Sequence, residues 1–175
     1  SPLDQILPII LREIRHAGLS DDQMEIVFAG GMHPTMTPRE AAGKLGGAAA
    51  GIAWRCNPWK DATAYESVGR VGPLKAEIDH GVANADVRII ISSVSVHMQA
   101  GFGGGYKMLV PGCASLETIR RLHRAGLDGD PQWVGTHAET NPMRKIINAV
   151  GRAVDARAGQ TFAVQYILDG DDQPK

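Results

Sequence analysis

Residues 87–94, VRIIISSV, constrain the fold more than any other segment of the chain. The run is dominated by β-branched side chains, which pack well on an extended backbone. It lacks the regular polar alternation of a strand with one wet face, so it predicts a strand buried on both faces. Such a strand needs helices to cover it, and the flanking sequence supplies them. Residues 3–17 place Ile6, Leu7, Ile10, Leu11 and Ile14 at helical spacing, with Pro8 in the first turns and Gly18 as a stop. MEIVFAGG (24–31) reads as a short strand. Thr37 can then cap a helix with Pro38 at its first position and Glu40 completing a capping box, and Gly46-Gly47 ends it after about Leu45. The middle, from Ala48 to Gly72, shows no clean period. AEIDHGVANA, just before residue 87, predicts a short strand and a short helix. SLETIRRLHRAG predicts a helix opened by Ser115 and closed by Gly126, and Asn141-Pro142 opens another. TFAVQYILD is the last strand, followed by a polar tail. Strands alternate with helices, so the expected fold is α/β, a largely parallel sheet with flanking helices in one Rossmann-like domain.

In such a fold, ligands bind at the carboxyl ends of the strands. His33 follows MEIVFAGG, and His97 ends the longer run VRIIISSVSV, so both are expected at that edge. Just beyond His97 lies a glycine loop, Gly101-Phe102-Gly103-Gly104-Gly105-Tyr106-Lys107. It is not a Walker A loop, because Tyr106 precedes Lys107 and Met108 follows it with no hydroxyl for Mg²⁺. Tyr106 also breaks the dinucleotide fingerprint begun by Gly101 and Gly103. Glycine still lets backbone N–H groups approach an anion and permits positive φ; the plain alternative is a flexible surface loop with a solvated lysine. His123 lies on the next helix, beside its inward face. His16, His80 and His137 carry no supporting context.

Composition narrows the options. Net charge is −1, which gives no bulk attraction to nucleic acid or anionic membranes, and aromatics make up only 5%, a poor base-stacking surface. Cys56 and Cys113 form no CxxC and are read as reduced, which points to the cytoplasm. No apolar run approaches a membrane span, and the N-terminal residues do not read as a signal peptide. There is no HExxH and no GxSxG.

Three pieces, FAGGMHPTMTPREAAGKLG, VHMQAGFGGGYKMLVPGCASLETIRRLH and NPMRKIINAVGRA, resemble the N-terminal domain of the lactate racemase family, the nickel-pincer racemases and epimerases of 2-hydroxy acids. The shared pattern is Gly31-x-His33, then His97, Gly101-Phe102, Gly104-Gly105 and Lys107, then Pro111-Gly112 and His123. The resemblance implies that Lys107 carries a pyridinium mononucleotide with two sulfur-bearing arms. It implies nickel held by the two sulfurs, a ring carbon and His123, with Gly103, Gly104 and Gly105 approaching the phosphate. His33 and His97 would be the acid–base pair for reversible hydride transfer from the substrate carbon. The implied partners are a small 2-hydroxy acid and the family's second, C-terminal domain. Residues 1–175 would be the cofactor-anchoring domain alone, with that second domain absent from this chain, as is the Asp-x-Thr-Arg-Pro stretch the family carries before its first helix. The alternative is a non-catalytic or truncated relative that binds a mononucleotide or anion in the glycine loop. A third reading is a simple His-metal hydrolase.

Overall fold

Helix α1 (Leu3–His16) buries Leu7 and Leu11 and delivers the chain to strand β1 (Glu25–Phe28). This is a computed structural model, and it describes residues 2–127 and 133–169. The Thr37 capping box forms as expected: the Thr37 hydroxyl accepts from the Glu40 amide at 3.3 Å, and the Glu40 carboxylate accepts from the Thr37 amide at 2.7 Å. Helix α2 (Pro38–Leu45) starts there and ends at Gly46, whose φ of 65° suits glycine. Its crossover sets β2 (Ala53–Cys56) parallel to β1.

The unreadable middle holds β2 and then β3 (Tyr65–Val71), which turns tightly into β4 (Leu74–Asp79) as an antiparallel hairpin. Its periodicity is hidden by a register shift between Ser67 and Gly69. Asp79 caps the short helix α3 (His80–Asn84), accepting from the Val82 amide at 3.0 Å. Strand β5 (Val87–Ser93) pairs in parallel along its whole length with β8 (Gln160–Tyr166). Between them come a two-residue pair, β6 (Val96–His97) against β7 (Gly101–Phe102), and helices α4 (Leu116–Leu127) and α5 (Pro142–Arg157).

The fold is mixed α/β, as expected, but its sheets are small. The described strands pair two by two, β1–β2 and β5–β8 in parallel, β3–β4 and β6–β7 antiparallel. Strands joined by tight turns can only run antiparallel; those joined through helices run parallel. Three local expectations are corrected. Strand β5 is not buried on both faces: Arg88, Ile90 and Ser92 are buried, whereas Val87 is exposed and Ile89 and Ile91 are half-buried. It also stops at Ser93, so His97 sits in the following hairpin and not at the strand's end. Gly126 does not end α4 but lies inside it. Its bare Cα lets α5 approach, since a Cβ there would meet the Met143 sulfur at 3.0 Å. The polar tail from residue 170 lies outside the described residues.

Two apolar cores form. The larger joins β4, α4 and α5 through Ile78, Ile119, Leu122, Met143 and Ile147; the smaller holds α1 and α2 against β1 and β2. A cavity of about 800 Å³ separates β1 from β5 and is lined along one side by α1. Among the described residues no helix is long and apolar enough to cross a membrane.

Candidate functional site

The glycine loop is held by the first turn of α5. Asn141 caps that helix, its side-chain oxygen accepting from the Arg144 amide at 2.8 Å. The same side chain donates to the Gln99 carbonyl at 2.9 Å and to the Thr136 hydroxyl at 3.0 Å. Arg144 then reaches under the loop and donates to the carbonyls of Ala100 (3.3 Å), Gly104 (3.2 Å), Gly103 (3.4 Å) and Phe102. Tyr106, the residue that broke both nucleotide motifs, anchors the other end. Its hydroxyl donates to Asp155 at 2.5 Å. Its ring occupies the space where a side chain at Gly151 would stand, which explains a glycine in the middle of α5.

Within this frame Lys107 lies in a short helical turn, its amide donating to the Gly104 carbonyl at 3.3 Å. Its side chain is half-buried. Burial first, then the Arg144 charge, hold its amine below the ordinary lysine range. Gly104 and Gly105 take positive φ of 79° and 59°. The Gly103 amide is engaged with the Ser95 carbonyl at 2.7 Å. Beside Gly104 the Ser92 hydroxyl is buried with no partner.

His97 lies within the electrostatic reach of this group. Its Nδ1 accepts from the amides of Gln99 (3.2 Å) and Ala100 (3.1 Å), so the neutral ring carries its proton on Nε2. Burial, then the charges of Lys107, Arg144 and His123, push its pKa down and favour that neutral ring. His123 has the opposite tautomer. Its Nδ1 lies 2.8 Å from the Ile119 carbonyl, which only accepts, so Nδ1 carries the proton and Nε2 presents a lone pair.

His33 stays on the exposed rim. Its turn is nonetheless fixed to the loop: the Gly31 amide donates to the Gly112 carbonyl at 2.8 Å. Asn57, 2% exposed, donates to the carbonyls of Gly31 (2.9 Å) and Ala114 (3.1 Å), and the Trp59 indole donates to the His33 carbonyl at 3.2 Å. Lys107 and His123 thus both bear electrostatically on His97, and the His33 turn is tied to the stretch of chain that runs from Lys107 to His123. Sequence reasoning missed the residues that do the tying. Asn57 and Trp59 lie in the aperiodic middle, and Arg144 resembles any surface arginine on an amphipathic helix. The cap signal at Asn141 was the one available clue to the α5 clamp. His16, His80 and His137 are exposed.

The chain is 28% identical over 177 residues to lactate racemase of Lactiplantibacillus plantarum, an alignment covering 97% of this chain and 39% of that protein. It is 30% identical over 167 residues to lactate racemase of Thermoanaerobacterium thermosaccharolyticum, covering 93% of this chain and 38% of that one. The chain therefore spans about two-fifths of the length of these curated relatives. The lactate racemase apoprotein structure from T. thermosaccharolyticum superposes with a TM-score of 0.88 at 23% identity, over 99% of this chain and 41% of that one. A protein of Thermotoga maritima superposes with a TM-score of 0.78 at 24% identity, over 93% and 42%. At these identities the two structures establish the fold alone. The family model for the lactate racemase N-terminal domain matches residues 1–133, which is most of the chain. On that match, the chain belongs to the lactate racemase N-terminal domain family.

Proposed function

We propose that residues 1–175 are the cofactor-anchoring domain of a nickel-pincer-dependent racemase or epimerase of 2-hydroxy acids, acting with a C-terminal domain that lies outside this chain. The observation that carries the reading is the clamped glycine loop with half-buried Lys107, and His97 within the electrostatic reach of Lys107 and His123, in a chain of this family. The residues present suit the cofactor. His123 offers a single imidazole lone pair. Among the described residues no group of three or more His, Cys, Asp or Glu could hold a metal, so a nickel here draws its remaining donors from the organic group. The same observation argues against the hydrolase reading, which needs about three protein ligands.

When bound, the cofactor supplies the acceptor for the substrate's hydride. The chain's own residues do the rest. Lys107 provides the attachment amine, and its partial burial favours the neutral, nucleophilic form. Gly104 and Gly105, held at positive φ, are the glycines whose backbone a phosphate would approach; the Gly103 amide is engaged with the Ser95 carbonyl, so Gly103 contributes only its lack of a side chain. His33 and His97 serve the substrate oxygen as acid and base. In the tautomer seen here His97 offers a proton from Nε2; taking one there requires moving the other to Nδ1 and giving up both amide bonds.

The test is mass spectrometry of the full gene product co-expressed with cofactor-synthesising enzymes, followed by an assay of chiral 2-hydroxy acids. An adduct on Lys107, lost in Lys107→Ala together with racemisation, is the expected result. An adduct elsewhere, or racemisation that persists in Lys107→Ala, refutes the assignment.

A further inference from the structure

Arg144 is 8% exposed. A buried guanidinium is normally paired with a carboxylate, because removing it from water is costly. Arg88 illustrates the usual solution, with Asp155 3.2 Å away. Arg144 has no such partner among the described residues: its side chain bonds only backbone carbonyls, those of Ala100, Phe102, Gly103 and Gly104. Four acceptors compensate its lost hydration, but none cancels its charge. One of them, the Gly104 carbonyl, also accepts from the Lys107 amide, so guanidinium and lysine turn share an atom. The helix beneath adds the partial positive charge of its N-terminus, since Arg144 lies in the first turn of α5.

We infer that Arg144 is a positioning residue for Lys107: it fixes the conformation of the glycine loop through four carbonyls and brings to the lysine a positive charge that no described carboxylate pairs. The inference rests on the proposed role of Lys107 as the attachment amine, and it adds how the fold prepares that amine before any cofactor arrives. The groups that bear on Lys107 are few. Among the described residues they are Arg144 from α5 and His97 from β6. Burial and Arg144 act on the lysine in the same direction, both disfavouring its protonation. Loss of the guanidinium would release the loop and remove the second of these effects together.

The test uses the cofactor-free protein, so that its outcome is independent of whether the adduct forms. Lys107 acylation by a small acetylating reagent is followed across pH by peptide mass spectrometry, with exposed Lys60 and Lys145 as internal references. Amide hydrogen exchange of residues 99–107 is measured on the same samples. In the unaltered protein the Lys107 acylation midpoint should lie below those of Lys60 and Lys145. In Arg144→Gln it should rise toward them, with several-fold faster exchange in the loop. Arg144→Lys keeps the charge but fewer bonds, so it should keep the low midpoint while the loop exchanges faster. A Lys107 midpoint equal to the references in the unaltered protein overturns the inference. So does Arg144→Gln behaving as the parent in both measurements. If Arg144→Gln fails to fold, Arg144→Lys decides, and unchanged loop exchange in that variant refutes the positioning role.

Discussion

At the scale of single residues, the histidines show how little a residue type says without its hydrogen bonds. His97 and His123 look alike in sequence, yet one accepts through Nδ1 from Gln99 and Ala100 while the other faces the Ile119 carbonyl with the same atom. The two rings therefore hold opposite tautomers. Nitrogen-15 NMR of histidine-labelled protein at neutral pH should show His97 protonated on Nε2 and His123 on Nδ1. The same tautomer at both would contradict the geometry. Tyr106 teaches a related lesson. In sequence it was only the residue that spoiled two nucleotide motifs. In the fold it is a structural pin, lying over Gly151 and bonded to Asp155, and it leaves Lys107 as the loop's one cationic side chain.

At the scale of elements, the two asparagine- and threonine-capped helices separate a local signal from a tertiary one. Both caps were legible because the cap chemistry is local: a side-chain oxygen three residues before an orphan amide. Their weights differ. Thr37 is exposed and serves only its own helix, so Thr37→Ala should cost about 1 kcal/mol. Asn141 is fully buried and also holds Gln99 and Thr136, so Asn141→Ala orphans a helix amide and two further groups. A loss of roughly 2–3 kcal/mol is expected. Urea unfolding of both variants checks the ranking; equal losses would show that Asn141 acts as an ordinary cap. Strand β5 marks the opposite limit. Its β-branched run correctly announced a strand, but which of its faces is covered depended on helices and cavities that its own residues do not encode.

At the scale of the whole molecule, acid should weaken the fold in two stages. His97 is held neutral by burial and by neighbouring positive charge, so the unfolded chain takes up that proton first, and stability should begin to fall below about pH 6.5. The carboxylates follow. Glu77 is held low by the Lys75 ammonium and, against a desolvation cost, by the Ser115 hydroxyl. Desolvation pushes Asp155 up, but bonds from Thr161, Tyr106 and Arg88 outweigh it and leave it below its ordinary range. For such groups the stabilisation is full above the unfolded value near about pH 4 and is lost as pH falls through the lower folded value. Melting temperature measured from pH 7 to 3 should trace both stages, and Asp155→Asn should flatten the second; a flat profile throughout would contradict it. The sequence by itself determined the helices, their caps, the alternating α/β plan and the cluster of unlike residues from His97 to His123. Those are encoded by short-range periodicity and by residue types that only one local geometry satisfies. The tertiary structure alone decided that the strands pair two by two, that Asn57 and Trp59 hold the His33 turn, and that Arg144 reaches under the glycine loop. Each of these depends on atoms brought together from separate stretches of chain, and spacing along a sequence carries no record of such encounters.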